Sequence, residues 1–293
     1  MHAPGPAHPI LLEPVEYMKT TSIDALIERH AVLLLDAYGV LVDTAGALPG
    51  ARELIGRLNR MGKPYYLLTN DASKLPETAS RRYRGFGLEI DPDRIISAGT
   101  LLPACFEEHG LTGSRCAVLG TADSVRFVEE AGGVSVPLGE DFETLVLCDE
   151  NGFPFLDGID RTLSVLYARI DRGDGAHLIL PNPDLVFLKS AGEYGIAAGT
   201  MALMFEAALA LRYPGRPDLG FLRLGKPHAT IFAEALRRSG TRDMIMIGDQ
   251  LATDIRGARE FGLAAALVAG GISTAVPASL PAHLRPTWLL DRL

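Results

Sequence analysis

The sequence is poor in cysteine, with Cys105, Cys116 and Cys148 its only three among 293 residues and no CxxC pair. That excludes a disulfide scaffold and leads to the expectation of a reducing, cytosolic compartment. Long apolar runs are also missing. The longest, Leu263 to Ala269, falls far short of the roughly 18 residues that span a bilayer. The start, Met1-His2-Ala3-Pro4-Gly5-Pro6, lacks the charged-then-apolar order of an export signal. Neither secretion nor membrane insertion is expected. Basic charge is in deficit: Lys plus Arg number 28 against 36 Asp plus Glu, a formal net charge of −8 at pH 7. Such a balance repels nucleic-acid backbones and anionic membranes, although it leaves room for a local basic pocket. The seven histidines show no paired ligand spacing, so no zinc site is expected.

What is present suffices for a large buried core, since 47% of residues are hydrophobic and 22% charged. Pro4, Pro6, Pro9 and Pro14 mark residues 1–20 as a loosely held arm. Ser22 then caps a short helix whose Ile23, Leu26 and Ile27 share a face. Beyond it, short apolar runs alternate with stretches of helical period, the pattern of strands and crossover helices in a parallel sheet. The strands read as Ala31–Leu35, Tyr65–Leu68, Ile95–Ile96, Cys116–Leu119, Leu145–Leu147, His177–Leu180, Phe221–Leu224, Met244–Ile247 and Ala265–Val268. A helix over Ile159–Arg172, with Ile159, Leu163, Leu166 and Ile170 on one face, gives the middle of the chain elements of its own. The expected organisation is a discontinuous core, residues 1–99 plus 191–293, with a second α/β unit inserted at 100–190.

Three strand candidates end in polar groups: Asp36 after Leu35, Thr69-Asn70 after Leu68, and Gly248-Asp249 after Ile247. In open α/β sheets the ligand crevice lies beyond the carboxyl ends of the strands, so these residues can converge there. Asp36, before Ala37-Tyr38-Gly39, reads either as a turn-initiating residue or as a carboxylate nucleophile. Asp249 and Asp254 suit a Mg²⁺ site, or equally a turn and a helix first turn. Lys226, ahead of a helix running to Gly240, can neutralise a phosphoryl group or simply be solvated.

Two near-motifs fail. Gly220 to Lys226 obeys GxxxxGK, but Pro227 follows where a hydroxyl is required, and the intervening residues read as a strand. Gly85-Phe86-Gly87 has Ile90 where the dinucleotide fingerprint needs glycine. Arg81, Arg82 and Arg84 cluster on a helix and read as a solvated face.

Taken in order, Asp36, Thr69-Asn70, Lys226 and Gly248-Asp249 with Asp254 resemble the four motifs of the haloacid dehalogenase (HAD) superfamily. Gly225-Lys226-Pro227-His228, the run Gly248 to Ile255 and Asn182-Pro183-Asp184 resemble subclass IIA, the sugar-phosphatase and nitrophenylphosphatase group. The resemblance implies an α/β fold, a Rossmann-like parallel-sheet core under an inserted α/β C2-type cap. It implies Asp36 as nucleophile and Mg²⁺ held by Asp36, the Tyr38 carbonyl and Asp249, with Asp254 positioning the metal shell. Thr69 or Asn70 and Lys226 would hold the phosphate of a small phosphorylated metabolite, and Asn182 and Asp184 would contact the substrate from the cap. The cap is also a place where two chains can pair as a homodimer.

One position departs from the pattern. The phosphatases carry a second aspartate two residues after the nucleophile as general acid and base, and here that residue is Tyr38. A phenol with an ordinary pKa near ~10 is a poor general base at neutrality. Haloacid dehalogenases show Asp-x-Tyr-Gly there, because a departing halide needs no proton. The expected activity is Mg²⁺-dependent phosphomonoester hydrolysis. The alternatives are a 2-haloacid dehalogenase acting through Asp36 and a weakly active binder of a phosphorylated metabolite.

Overall fold

The computed structural model describes residues 19–190, 193–269, 273, 277 and 279–293. Residues 1–18 of the expected arm lie outside the described residues, and its last position, Thr20, opens the strand Thr20–Thr21. The strands in chain order are β1 (Thr20–Thr21), β2 (Val32–Leu35), β3 (Tyr65–Thr69), β4 (Ile95–Ser97), β5 (Arg115–Leu119), β6 (Val134–Val136) and β7 (Thr144–Leu147). They continue as β8 (His177–Leu180), β9 (Val186–Ser190), β10 (Glu193–Ile196), β11 (Leu222–Arg223), β12 (Met244–Gly248), β13 (Ala264–Val268) and β14 (Trp288–Leu290). The sequence pattern anticipates nine of these, whereas β1, β6, β9, β10 and β14 are too short or too polar to show in it.

The first sheet has the order β1-β14-β13-β12-β2-β3-β4, with every pairing parallel. Both its faces are covered, which is why its strands read as unbroken apolar runs. In β2, Val32 and Leu34 pack into one hydrophobic cluster and Leu33 and Leu35 into the other; in β12, Met244 and Met246 oppose Ile245 and Ile247 in the same way. The helix Ala51–Met61 buries Leu54, Ile55 and Leu58 on one face, and the helix Ala229–Ser239 buries Ile231, Phe232 and Ala235 on the other. The predicted cap on the first helix, Ile23–Arg29, is present: the Ser22 side chain accepts the Ala25 N–H at 3.2 Å.

The second sheet has the order β11-β8-β7-β5-β6, again all parallel, and an antiparallel hairpin, β9–β10, projects beside it. This corrects the expected boundary at 190. The helix Ala198–Arg212 buries Met201, Ala202, Phe205 and Leu209 against Leu145, Leu147, Leu178 and Leu180 of the second sheet. Strand β11, expected in the core, pairs with β8. Residues 193–223 therefore pack with the inserted unit, because the apolar stripe of that helix finds its complement on β7 and β8. The predicted helix at 159–172 is present as Phe155–Asp171 on the same face. No helix among the described residues is long and apolar enough to cross a membrane.

Candidate active site

The register Leu35↔Ile247 and Leu35↔Leu67 brings the carboxyl ends of β2, β12 and β3 side by side. Asp36 leaves β2 with its N–H still donating to the Ile247 carbonyl at 2.9 Å, so the carboxylate stands at the sheet's edge in a fixed direction. The chain then turns at Gly39, whose φ is +84°; a Cβ there would lie 2.3 Å from Asp249 Oδ2. Only glycine lets the two strand-end loops approach so closely. Asp249 itself is fully buried, as is Asp254, whose Oδ2 accepts the Gln250 N–H at 3.1 Å and so folds the wide turn Leu251–Ile255 back toward β12.

Lys226 closes the floor. Its Nζ donates to Asp36 Oδ1 at 2.5 Å, to Asp254 Oδ1 at 2.7 Å and to the Leu68 carbonyl at 3.0 Å, which uses all three ammonium protons. Its own N–H donates to Asn70 Oδ1 at 2.7 Å. Gly225 makes that approach possible, since a Cβ there would meet the same oxygen at 2.5 Å. Asn70 Nδ2 donates to Asp184 Oδ1 at 2.8 Å and to the Lys226 carbonyl at 3.0 Å. Both its amide protons are thus spent, and Asn70 ties β3, the lysine loop and the inserted unit together rather than offering a donor to a ligand. Thr69 is buried with its Oγ1 accepting the Asp71 N–H at 3.2 Å, which leaves the hydroxyl proton to donate.

Burial pushes the Asp36 carboxyl well above the usual range, reinforced by Asp254 and Asp249, while Lys226 opposes the rise. For Lys226, burial works against the ammonium, but Asp254, Asp36 and Asp184 outweigh it and hold the pKa above its ordinary value. The lysine stays charged. Asp36, Asp249 and Asp254 present oxygens within 4.8 Å of one another. Three carboxylates against one ammonium leave surplus negative charge in a buried place, and such a set of hard oxygen donors fits a divalent cation such as Mg²⁺.

A cavity of about 420 Å³ opens in front of this cluster. Asp36, Tyr38, Thr69, Asn70, Lys226 and Asp249 line its floor, and Asn182 and Asp184 line it from the inserted unit. Asp254 is not at the cavity wall; it lies behind Lys226, fully buried. Asn182 Oδ1 accepts the Asp184 N–H at 3.0 Å, and burial raises the Asp184 pKa to about 6 against the pull of Lys226 and Asn70. Tyr38 is half-buried; burial raises its pKa, against Arg82 and Lys74, so the phenol is protonated at neutrality.

Sequence reasoning missed part of the wall. Asp149, Glu150 and Asn151 face the cavity just beyond β7, a placement that the same strand-end rule used for Asp36 would have found. Arg82, expected on a solvated face, instead lines the cavity with its guanidinium 5.7 Å from the centre of the Tyr38 ring. Helical period alone does not distinguish that position from Arg81, which is exposed.

Comparison with known proteins agrees with this fold. Residues 33–133 match the family model described as haloacid dehalogenase-like hydrolase, and residues 223–293 match one described as HAD-hydrolase-like. The chain is 27% identical over 242 residues to a dihydroxyacetone phosphatase of Corynebacterium glutamicum, covering 82% of this chain and 81% of that relative. A crystal structure from Cytophaga hutchinsonii, described as a possible sugar phosphatase of the HAD superfamily, superposes with a TM-score of 0.76 at 30% identity, covering 94% of this chain and 98% of that one. A 4-nitrophenylphosphatase structure from Thermotoga maritima gives a TM-score of 0.73 at 22% identity, covering 91% and 96% respectively.

Proposed function

Because this chain belongs to the haloacid dehalogenase-like hydrolases, in their subclass IIA, we propose that it is a Mg²⁺-dependent phosphatase that cleaves the phosphate monoester of a small metabolite. The observation that carries this reading is the buried constellation of Asp36, Lys226 and Asp249 on the floor of one cavity, with Asp254 behind Lys226. Asp36 and Asp249, with the Tyr38 carbonyl, would hold Mg²⁺, and Asp254 would support that shell. When bound, the ion supplies positive charge against the phosphoryl oxygens.

Within this frame Asp36 attacks phosphorus, the ester P–O bond breaks, and an aspartyl-phosphate forms on the chain. Lys226, kept cationic by its carboxylates, offsets charge on the transferring group, and the Thr69 hydroxyl donates to it. Water then attacks phosphorus, the P–O bond to Asp36 breaks, and the carboxylate is restored. Both steps move a proton: the leaving alcohol gains one and the attacking water loses one. Tyr38, protonated and half-buried, is a weak donor and cannot serve as the base, so general acid–base help worth about 10²–10⁴-fold is reduced here.

The test is phosphate release from nitrophenyl phosphate and a panel of sugar phosphates, with Mg²⁺ and with chelator. Release that depends on the metal is expected, and equal turnover in chelator would remove the reading. Tyr38 is the one residue that favours a dehalogenase, and halide release from a 2-haloacid without metal would select that activity instead.

A further inference from the structure

Among the described residues three cations line the cavity: Lys74, Arg82 and Lys226. Lys226 is bonded by Asp36 and Asp254, and Lys74 Nζ lies 3.0 Å from Asp71 Oδ2 and 2.7 Å from Ser73 Oγ. Arg82 differs. Among the described residues no carboxylate pairs with its guanidinium, which is held against two rings, 5.7 Å from the centre of Tyr38 and 5.5 Å from that of Phe86. Cation–π contact of this kind, with a bond to the Tyr38 hydroxyl, steadies the guanidinium and leaves its remaining N–H groups to an acceptor in the cavity. A cation so placed beside abundant acids, yet paired with none of them, is a binding group whose partner comes from outside the chain.

Acids of the inserted unit narrow the choice of partner. Asp149 and Glu150 form an acidic wall on the same cavity, and among the described residues no cation from the inserted unit lines it with them. A second phosphate, doubly charged, is penalised more by that wall than a singly charged carboxylate, whose two oxygens also match a guanidinium edge. Resting on the phosphatase reading, we infer that Arg82 selects phosphomonoesters that bear a carboxylate, the phosphate esters of hydroxy acids. Phosphate then sits at Asp36 and Lys226 while the acid end lies over Tyr38 against Arg82.

Calorimetric titration tests this without turnover. The probes are phosphonoacetate and 3-phosphonopropionate, each paired with the alkylphosphonate of similar length that lacks the carboxylate, with Mg²⁺ present. The wild-type protein should bind an acid-bearing member about tenfold to a hundredfold more tightly than its counterpart. Arg82→Met should erase that margin, and Arg82→Lys, a point charge without the planar fork, should keep only part of it. Equal affinity within both pairs, or a margin that survives Arg82→Met, overturns the inference and leaves the phosphatase reading standing. If no phosphonate binds at all, the phosphatase reading fails and this inference with it.

Discussion

The floor and the roof of the cavity are built on different physical terms. On the floor, Asp36 is 5% exposed, Lys226 3%, and Asp249 and Asp254 fully buried. Asp36, Lys226 and Asp254 are joined by bonds of 2.5–2.7 Å. The roof comes from the ends of β7 and β8 and from the β9–β10 hairpin, where Val186 is 41% and Ile196 42% exposed. Buried charges depend on one another, so each floor residue is constrained by the rest. Side chains of the roof have fewer such obligations. The comparison teaches that the proposed chemistry draws on the interdependent buried floor, while recognition of the ester's other end falls to lining groups outside that network, Arg82 among them.

The largest predicted effect would confirm the floor as the seat of chemistry: Asp36→Asn keeps the shape, removes the nucleophile, and should lower kcat by roughly 10⁴ or more. Phosphate release under saturating substrate measures it. Lys226→Met should abolish activity and also destabilise the fold by about 3–5 kcal/mol, because it leaves Asp36 and Asp254 buried without their cation. Denaturant unfolding checks the second part, and an unchanged midpoint would break the claim that floor charges depend on one another.

Tyr38→Asp sharpens the comparison from the other direction. It restores a carboxyl where the subclass has one and should raise turnover of sugar phosphates by about tenfold or more. No gain would move the proton-transfer role to a roof carboxylate. The smallest effect concerns Asp184, where roof meets floor. Its pKa, raised by burial to about 6 from an ordinary value of 3.8, means that the protonated form is the one favoured by folding. Its stabilising contribution is therefore present below about pH 4 and lost as pH rises through about 6. Asp184→Asn retains an acceptor for Asn70 and should flatten the dependence of Tm on pH across that window, measured by thermal melts at pH 4 and pH 7.

Much of the floor was legible in the sequence because Asp36, Thr69-Asn70 and Asp249 lie at the ends of buried apolar runs, and strand ends in parallel sheets point one way. Leu33-Leu34-Leu35-Asp36 and Met246-Ile247-Gly248-Asp249 announce both the strand and the group at its mouth. The resemblance of these motifs to a known family then supplied their order of use. The roof was less legible for reasons visible in particular elements. Strand β11 is two residues long and gains its identity only by pairing with β8, so its sheet could not be read locally. The helix Ala198–Arg212 is apolar on most sides, and periodicity does not say which sheet it covers. Arg82 required a three-dimensional fact, its place beside the Tyr38 and Phe86 rings at the cavity, to leave the solvated face assigned to it. Asn70 reads as a substrate donor in sequence and as a spent one in structure, because its partners lie at Asp184 and Lys226, far along the chain.

The central claim is that Asp36 becomes phosphorylated. With nitrophenyl phosphate the leaving group is a stable anion that needs no proton, so the first step proceeds while the second lacks its base. Rapid mixing with Mg²⁺ followed by an acid quench and peptide mass analysis should therefore find a phosphoryl group on the peptide containing Asp36, accompanied by a burst of nitrophenol. Steady release of nitrophenol with an unmodified Asp36 peptide at every quench time would contradict the account.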